Sequence, residues 1–394
     1  MSIFETGANP SYVIVFAGHF PRPRYWSTVW TIGTRGKSWA RNTLKARLRY
    51  LDRFYRHCDV KFGADSLDLA IGDADAVLVH GMAEDFYLGL TSNKKYTTAD
   101  VQCWDAARNF VLHFARHWSV GSEAWRAVVR SLIGTGRIRN PKRGRVRFAR
   151  ALPDVTLNDL LAVAEPSSRR NPFKNPAVKL RNWFIVLLLL LCGLRRGEAL
   201  LLTLDSLHQE LDPESGEPRF WFDVTTTEDE DDRSTLPSIK TPDSHRQIPI
   251  SEDLAVLCEQ YAAEHRDDSR GHRFLLTAAG GKQLSAEVIT KVLKMLSNAL
   301  EPSALKRFSE RTGGKRHISA HDLRHTCATV RYGLFIAAEA DRELALQRMR
   351  TFFGWAIESD SPSVYARAAI HDDLMKSWND LFDHRITALR GEST

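Results

Sequence analysis

The stretch NPAVKLRNWFIVLLLLLCGLRRGEALLL, Asn175 to Leu202, limits the fold more than any other. Nine consecutive apolar residues, Phe184 to Cys192, cannot sit in water. They are also too few to span a bilayer, which takes about 20. The run therefore predicts a helix buried in a sizeable core and ending at Gly193. Directly after it, Arg195 and Glu198 stand as R-x-x-E at a junction with a second helix. At such a junction a helix N-terminus and a guanidinium can face one anion together.

A core of that size needs a long chain, and 394 residues suffice for two or three domains. Hydrophobic content of 43% and charged content of 26% fit an ordinary globular protein rather than a disordered one. The five cysteines, Cys58, Cys103, Cys192, Cys258 and Cys327, include no CxxC pair. Reduced thiols are expected, and neither a zinc ribbon nor a disulfide framework. The start, MSIFETGANPSYVIVF, has neither the basic n-region nor the long apolar core of a secretory signal. A cytoplasmic, nucleoid-associated setting without membrane contact is expected.

Net charge is +7, but its distribution is more informative. Residues 1–150 hold 24 Lys/Arg against 12 Asp/Glu, and the remainder holds 31 against 36. Concentrated basic charge suits a phosphate backbone. The bland alternative is a solvated basic face. The densest part is RAVVRSLIGTGRIRNPKRGRVRFARALPD, with nine Lys/Arg between Arg126 and Arg150 and no acid before Asp154. Gly134, Gly136, Pro141 and Gly144 break regular structure there. We expect a basic linker whose Arg137, Arg139, Lys142, Arg143, Arg145 and Arg147 follow a DNA backbone.

Around that linker the pattern predicts an uncertain N-terminal arm (1–34), a helical domain (35–135), the linker (136–151) and a second domain (152–394). In the arm, YVIVF suggests a short strand and FPRPRYW an irregular segment. From Ser38, Leu44, Leu48, Leu51, Phe54 and Tyr55 recur at helical spacing. Another helix is expected within the acidic stretch 65–85. TADVQCWDAARNFVLHFARHW repeats the helical pattern, with Thr98 as N-cap. In the second domain LPDVTLNDLLAVAE predicts a capped helix. RFWFDVTTT is strand-like, and LPSIKTPDSHRQIPIS predicts a β-hairpin turning at TPDSH. The fold class expected is mainly α with a small antiparallel sheet.

The polar motifs of the second domain are individually weak. Lys240 on the hairpin could reach into a site as a flexible ammonium. In SAHDLRHT, His321 and Arg324 lie at i and i+3 on one helix face, with Ser319 as a possible N-cap. HxxRH lacks the spacing and glutamate of a zinc protease, so metal is disfavoured. FFGWAIESDSPSVYARAAI adds Trp355 and Tyr365. Taken singly, each is more simply a core or surface residue, and His325 is best explained by helix packing. Their order says more: R-x-x-E, hairpin K, H-x-x-R, then W, then Y.

That order resembles the tyrosine recombinase, or phage integrase-like, family. The motifs cover residues 180 to 370, and the helical first half agrees in general layout. The resemblance implies a mixed α/β catalytic domain of that type behind a helical DNA-binding domain, closing on duplex DNA as a C-shaped clamp. It implies catalytic roles for Arg195, Glu198, Lys240, His321, Arg324 and Trp355, with Tyr365 as nucleophile, and Arg246 as a further DNA contact. Two departures stand out. The stretch between Arg324 and Trp355 is long, predicting an insertion or an extended helix, and the usual LGH is here FGW.

The residue types suit phosphoryl transfer. Fixed guanidiniums can stabilise the charge that grows on a phosphodiester under attack. Tyrosine, with a pKa near 10, needs a proton acceptor, for which His321 is the candidate, and Lys240 is the candidate acid for the leaving oxygen. Trp355 either donates its indole N–H to phosphate or only packs. No cofactor is implied, since resealing needs no ATP and the chain has no P-loop. The implied partners are double-stranded DNA sites, further copies of the chain (a tetramer in synapsis) and accessory DNA-bending or partner recombinase proteins. Leu374, Trp378, Leu381 and Phe382 in the tail could pack into a neighbour or onto their own domain. Alternatives are a type IB topoisomerase or telomere resolvase, an inactive accessory DNA-binding protein, and a nucleotide or RNA phosphodiesterase.

Overall fold

The structure is a computed structural model. It describes residues 3–6, 12–16, 21–34, 39, 41–92, 96–136, 138, 151–227, 231–233, 236–239, 242–339, 341–359 and 361–364. The chain is mostly helical, with two small antiparallel three-stranded sheets among the described residues. It divides into two compact units, Met1–Arg145 and Val146–Thr394.

In unit 1, β1 (Ile3–Glu5), β2 (Tyr12–Phe16) and β3 (Arg22–Pro23) form a small sheet. The helices follow: α1 (Tyr25–Thr34), α2 (Arg41–Phe62), α3 (Ser66–Gly72), α4 (Ala76–Thr91), α5 (Thr98–Trp118) and α6 (Glu123–Thr135). The strand in YVIVF is present. Within FPRPRYW, Arg22–Pro23 form β3 and Tyr25 opens α1, so its described part is regular rather than irregular. Leu48, Leu51, Phe54 and Tyr55 are fully buried along α2, as their spacing requires, against Trp104, Phe110 and Phe114 of α5. The N-cap of α5 is Thr97, one residue before the expected Thr98. Its hydroxyl accepts from the Asp100 N–H, and the Asp100 carboxylate accepts from the Thr97 N–H at 2.8 Å.

Unit 2 begins with α7 (Asp154–Ala164), α8 (Pro176–Leu191) and α9 (Arg196–Leu201). Helix α7 has Pro153 at its N-cap and no side-chain cap. The apolar run forms α8, capped by the Asn175 side chain and opened by Pro176. Phe184, Ile185, Val186, Leu188 and Leu189 have no exposed surface. Each contributes about 1.5–3 kcal/mol of transfer free energy, which fixes α8 as the centre of the unit.

Three strands follow: β4 (Leu207–Leu211), β5 (Pro218–Val224) and β6 (Arg246–Ile250), in spatial order β4-β5-β6. The predicted hairpin at TPDSH does not form. Its second arm is β6, but β6 pairs with β5, in register Phe220↔Ile250 to Val224↔Arg246. Residues 236–239 form no strand. Pro242–Ser244 is a short 3-10 turn leading into β6. Alternation marks a strand without naming its partner, and RFWFDV offered the longer apolar surface.

The unit closes with α10 (Glu252–Gln260), α11 (Ala286–Asn298), α12 (Pro302–Thr312), α13 (Ala320–Glu339) and α14 (Arg342–Phe353). The long stretch between Arg324 and Trp355 is thus an extended helix, α13, followed by a separate one, α14, capped by Asp341. No helix among the described residues is long and apolar enough to cross a membrane.

Candidate active site

The junction between α8 and α9 is built around Glu198. As the third residue of α9, Glu198 reaches back to the Arg195 N–H, which donates to it at 2.9 Å. That bond turns its carboxylate toward the preceding loop, where it is 1% exposed. The Arg195 guanidinium donates to it at 2.5 Å. Arg246, at the start of β6, donates at 3.0 Å. Arg324 of α13 stands 3.5 Å away as an ion pair. One buried carboxylate therefore gathers three guanidiniums from three separate segments. Burial alone would raise the Glu198 pKa, but the fields of Arg246, Arg324 and Arg195 outweigh it and hold the carboxyl below its ordinary value.

Backbone carbonyls fix the arginines further. Arg324 donates to the Gly193 carbonyl at 2.5 Å and the Phe353 carbonyl at 2.8 Å, so it ties the end of α8 to the end of α14. Its guanidinium lies over the rings of Phe353 and Trp355, 5.0 and 5.7 Å from their centroids. Ser244 accepts from Arg195 at 3.1 Å and donates to the Gly354 carbonyl at 3.2 Å. Two glycines permit these approaches. Gly354 has φ 59°, and a Cβ there would come 2.7 Å from the Ser244 Cα. Gly193 has φ 57°, and a Cβ there would run into the Phe353 ring.

The structure brings together Arg195, Glu198, Arg324 and Trp355. Trp355 is 7% exposed and stacks on Phe353 at 4.7 Å. His321 lies on α13 one turn before Arg324 and is exposed, its ring 4.1 Å from that of His325. Arg246, expected on DNA, turns inward instead. Its side chain is 4% exposed, and it also donates to the Phe352 and Ser244 carbonyls at 2.8 Å each. Contact with a phosphate would require these bonds to be given up. Lys240 and Tyr365 lie outside the described residues, as do Arg137, Arg139, Lys142, Arg143, Arg145, Arg147 and the apolar tail positions.

Several participants escaped sequence reasoning. Asp322, fully buried, accepts from the Ser319 N–H at 2.9 Å, from the Ser319 hydroxyl at 2.6 Å and from the Lys315 ammonium at 2.7 Å. It fixes the start of the helix that carries His321 and Arg324. The S-x-x-D spacing of Ser319 and Asp322 was a readable signal. Ser244 and the two glycines act only through tertiary contacts. Cys327, one turn after Arg324, is no nucleophile at neutral pH, because burial pushes its thiol up to about 11. Among the described residues no cluster of His, Cys, Asp or Glu could hold a metal ion.

Residues 157–332 match the model of the phage integrase family, so unit 2 carries a domain of that family. No curated protein is detectably similar to the chain. Among solved structures, the chain is similar to XerA recombinase at 15% identity and a TM-score of 0.37, covering 89% of this chain and 97% of that one. It is similar to the integrase of transposon Tn1549, in complex with transposon right end DNA, at 12% identity and 0.45, covering 90% and 99%. A lambda integrase dimer bound to a COC′ core site gives 12% and 0.39, covering 86% and 95%.

Proposed function

We propose that the chain is a site-specific DNA recombinase that cuts and rejoins strands through a 3′-phosphotyrosyl bond. The observation that carries the reading is the excess of cationic charge at Glu198: three guanidiniums converge on one carboxylate. Such an excess is ready for a second anion, and a scissile phosphodiester supplies one. Arg195, whose side chain is 29% exposed, faces that anion most directly. Arg324 supports it from beneath, while Glu198 and Arg246 hold the array rigid so that no reorganisation is needed during reaction.

In this mechanism the Tyr365 hydroxyl oxygen attacks phosphorus, forming the P–O bond to tyrosine as the bond to the 5′ oxygen breaks. The phenolic proton passes to His321, which the structure leaves exposed on α13. Lys240 gives a proton to the departing 5′ oxygen. A 5′-hydroxyl from a partner strand then reverses the step, at little cost because the phosphotyrosyl ester keeps the energy of the bond it replaced. Exchange of strands requires several copies on paired DNA sites, and the basic segment from Arg137 to Arg147 tracks the backbone between them.

The test uses a duplex selected from a random pool by binding, nicked near the cleavage position so that the cut fragment escapes. Wild type is expected to form a denaturation-resistant protein–DNA adduct. Tyr365→Phe should form none while keeping its affinity for the duplex. An adduct that persists in Tyr365→Phe places the nucleophile elsewhere. Binding without any wild-type adduct favours an accessory DNA-binding protein.

A further inference from the structure

Unit 1 holds a cleft of about 900 Å³ lined by α1, α2, α5 and Trp39, which precedes α2. Its floor is Trp30, 2% exposed and edge-on to Trp39 at 5.3 Å. The Arg47 guanidinium lies 3.9 Å over the Trp39 ring. From α5 come His113, Arg116 and His117, spaced three and four residues apart and so forming one stripe along the helix. None of the 13 lining residues is acidic.

This composition narrows the ligand. The volume lies in the range of small-molecule sites, about 300–1,000 Å³. Tryptophan faces take flat rings, and guanidiniums take phosphates. An inorganic anion would leave the aromatic wall unused, and an apolar ligand would leave the cations unused. A ligand both planar and anionic uses both. Burial lowers the Arg47 pKa, only partly offset by Asp105, so an approaching phosphate would relieve a cost already present.

We propose that this cleft binds one nucleotide unit, its base against Trp39 and its phosphate toward Arg47 and the α5 stripe. The unit is either a free mononucleotide or an unpaired nucleotide within a single DNA strand, which present the same chemistry. The site shares no residue with the Glu198 cluster and does not depend on the strand-transfer reading.

Calorimetric titration of the full chain tests this with deoxyadenosine monophosphate, deoxyadenosine, inorganic phosphate and a short single strand. The proteins are wild type, Trp39→Ala, Arg47→Met and the surface variant Arg116→Ala/His117→Ala, which leaves the packed interior intact. The monophosphate, the strand or both should bind, and nucleoside and phosphate should each be at least about tenfold weaker. Trp39→Ala should lose about tenfold, and the surface variant a measurable share. Saturation by the monophosphate identifies a free nucleotide as ligand, and saturation by the strand alone identifies unpaired DNA. Three results overturn the proposal: no nucleotide-bearing probe binds, inorganic phosphate binds as tightly as the nucleotide, or affinity is equal in wild type and the surface variant. Tyr365→Phe should leave every titration unchanged, so the two proposals fail separately.

Discussion

Each unit contains an arginine cluster built around a buried guanidinium, and the two differ in charge balance. In unit 1, Arg24 is 4% exposed and pairs with Asp59 and with Asp65, the latter at 2.7 Å. Arg22 also pairs with Asp65, and the Arg24 guanidinium is covered by the rings of Phe16 and Tyr55 at 4.5 and 4.9 Å. Two arginines are thus matched by two aspartates, with Asp68 close behind on Tyr55. In unit 2 one glutamate faces three arginines, and Arg195 opens to solvent. The same residue types therefore serve two ends. A matched cluster, with Arg24 covered and Arg22 at its exposed edge, ties strand to helix. An unmatched one leaves positive charge over, as the proposed anion receptor requires.

The largest expected effect comes from removing the lone carboxylate. Glu198→Gln leaves three guanidiniums facing each other in a buried space, and stability should fall by about 3–5 kcal/mol. Phosphate should restore part of this loss, because an anion bound at the open side of Arg195 offsets some of the charge left unpaired. Asp65→Asn in unit 1 should destabilise too, but without any rescue by phosphate, since Asp59 still neutralises Arg24. Urea denaturation with and without phosphate, at constant ionic strength, measures both. Equal phosphate responses in the two variants would erase the distinction between receptor and tie.

Next in size is the rate of strand cleavage. Arg195→Ala should slow adduct formation on the bound suicide duplex by about 10²–10³. Arg195→Lys should recover only part, because an ammonium cannot reproduce the planar fork. Arg24→Lys should leave the rate per folded molecule unchanged. Single-turnover kinetics at saturating protein separate these effects from binding. A loss below about fivefold for Arg195→Ala would leave that guanidinium with a purely structural role.

How much of this could be read from the chain follows from the range of each interaction. Arg195 and Glu198 were legible because their contact spans one helical turn, and R-x-x-E after a helix stop fixes it locally. Arg324 was legible through its spacing from His321. That it reaches the carbonyls of Gly193 and Phe353 was not, because those bonds close loops of 131 and 29 residues. Arg246 shows the same limit. It was expected on DNA, yet β6 pairs with β5 and delivers the guanidinium to Glu198. Strand alternation carries no information about which strand is the neighbour. Gly354 could be recognised as a helix terminator, but its close approach to Ser244 belongs to tertiary structure alone.

The smallest effect is the most direct measure of sign. The folded-state pKa of Glu198 lies below its unfolded value, ordinarily about 4.3. Its contribution to stability is therefore complete above that value and is lost as pH falls through the folded pKa. Asp68 in unit 1 behaves oppositely. Burial raises its pKa, only partly countered by the Tyr55 hydrogen bond, so the folded state holds the proton more tightly than the unfolded one. Its contribution is most favourable below about 3.9 and is lost as pH rises through the raised folded value. Each group can contribute a slope of at most about 1.4 kcal/mol per pH unit. Relative to wild type, Glu198→Gln should remove a loss of stability on acidification, and Asp68→Asn should remove a loss on raising the pH from about 3.9. Denaturant midpoints taken across the acid range on both variants give the two slopes. Slopes of the same sign would mean that Glu198 is not held ionised by an excess of positive charge, and the anion receptor of unit 2 would lose its physical basis.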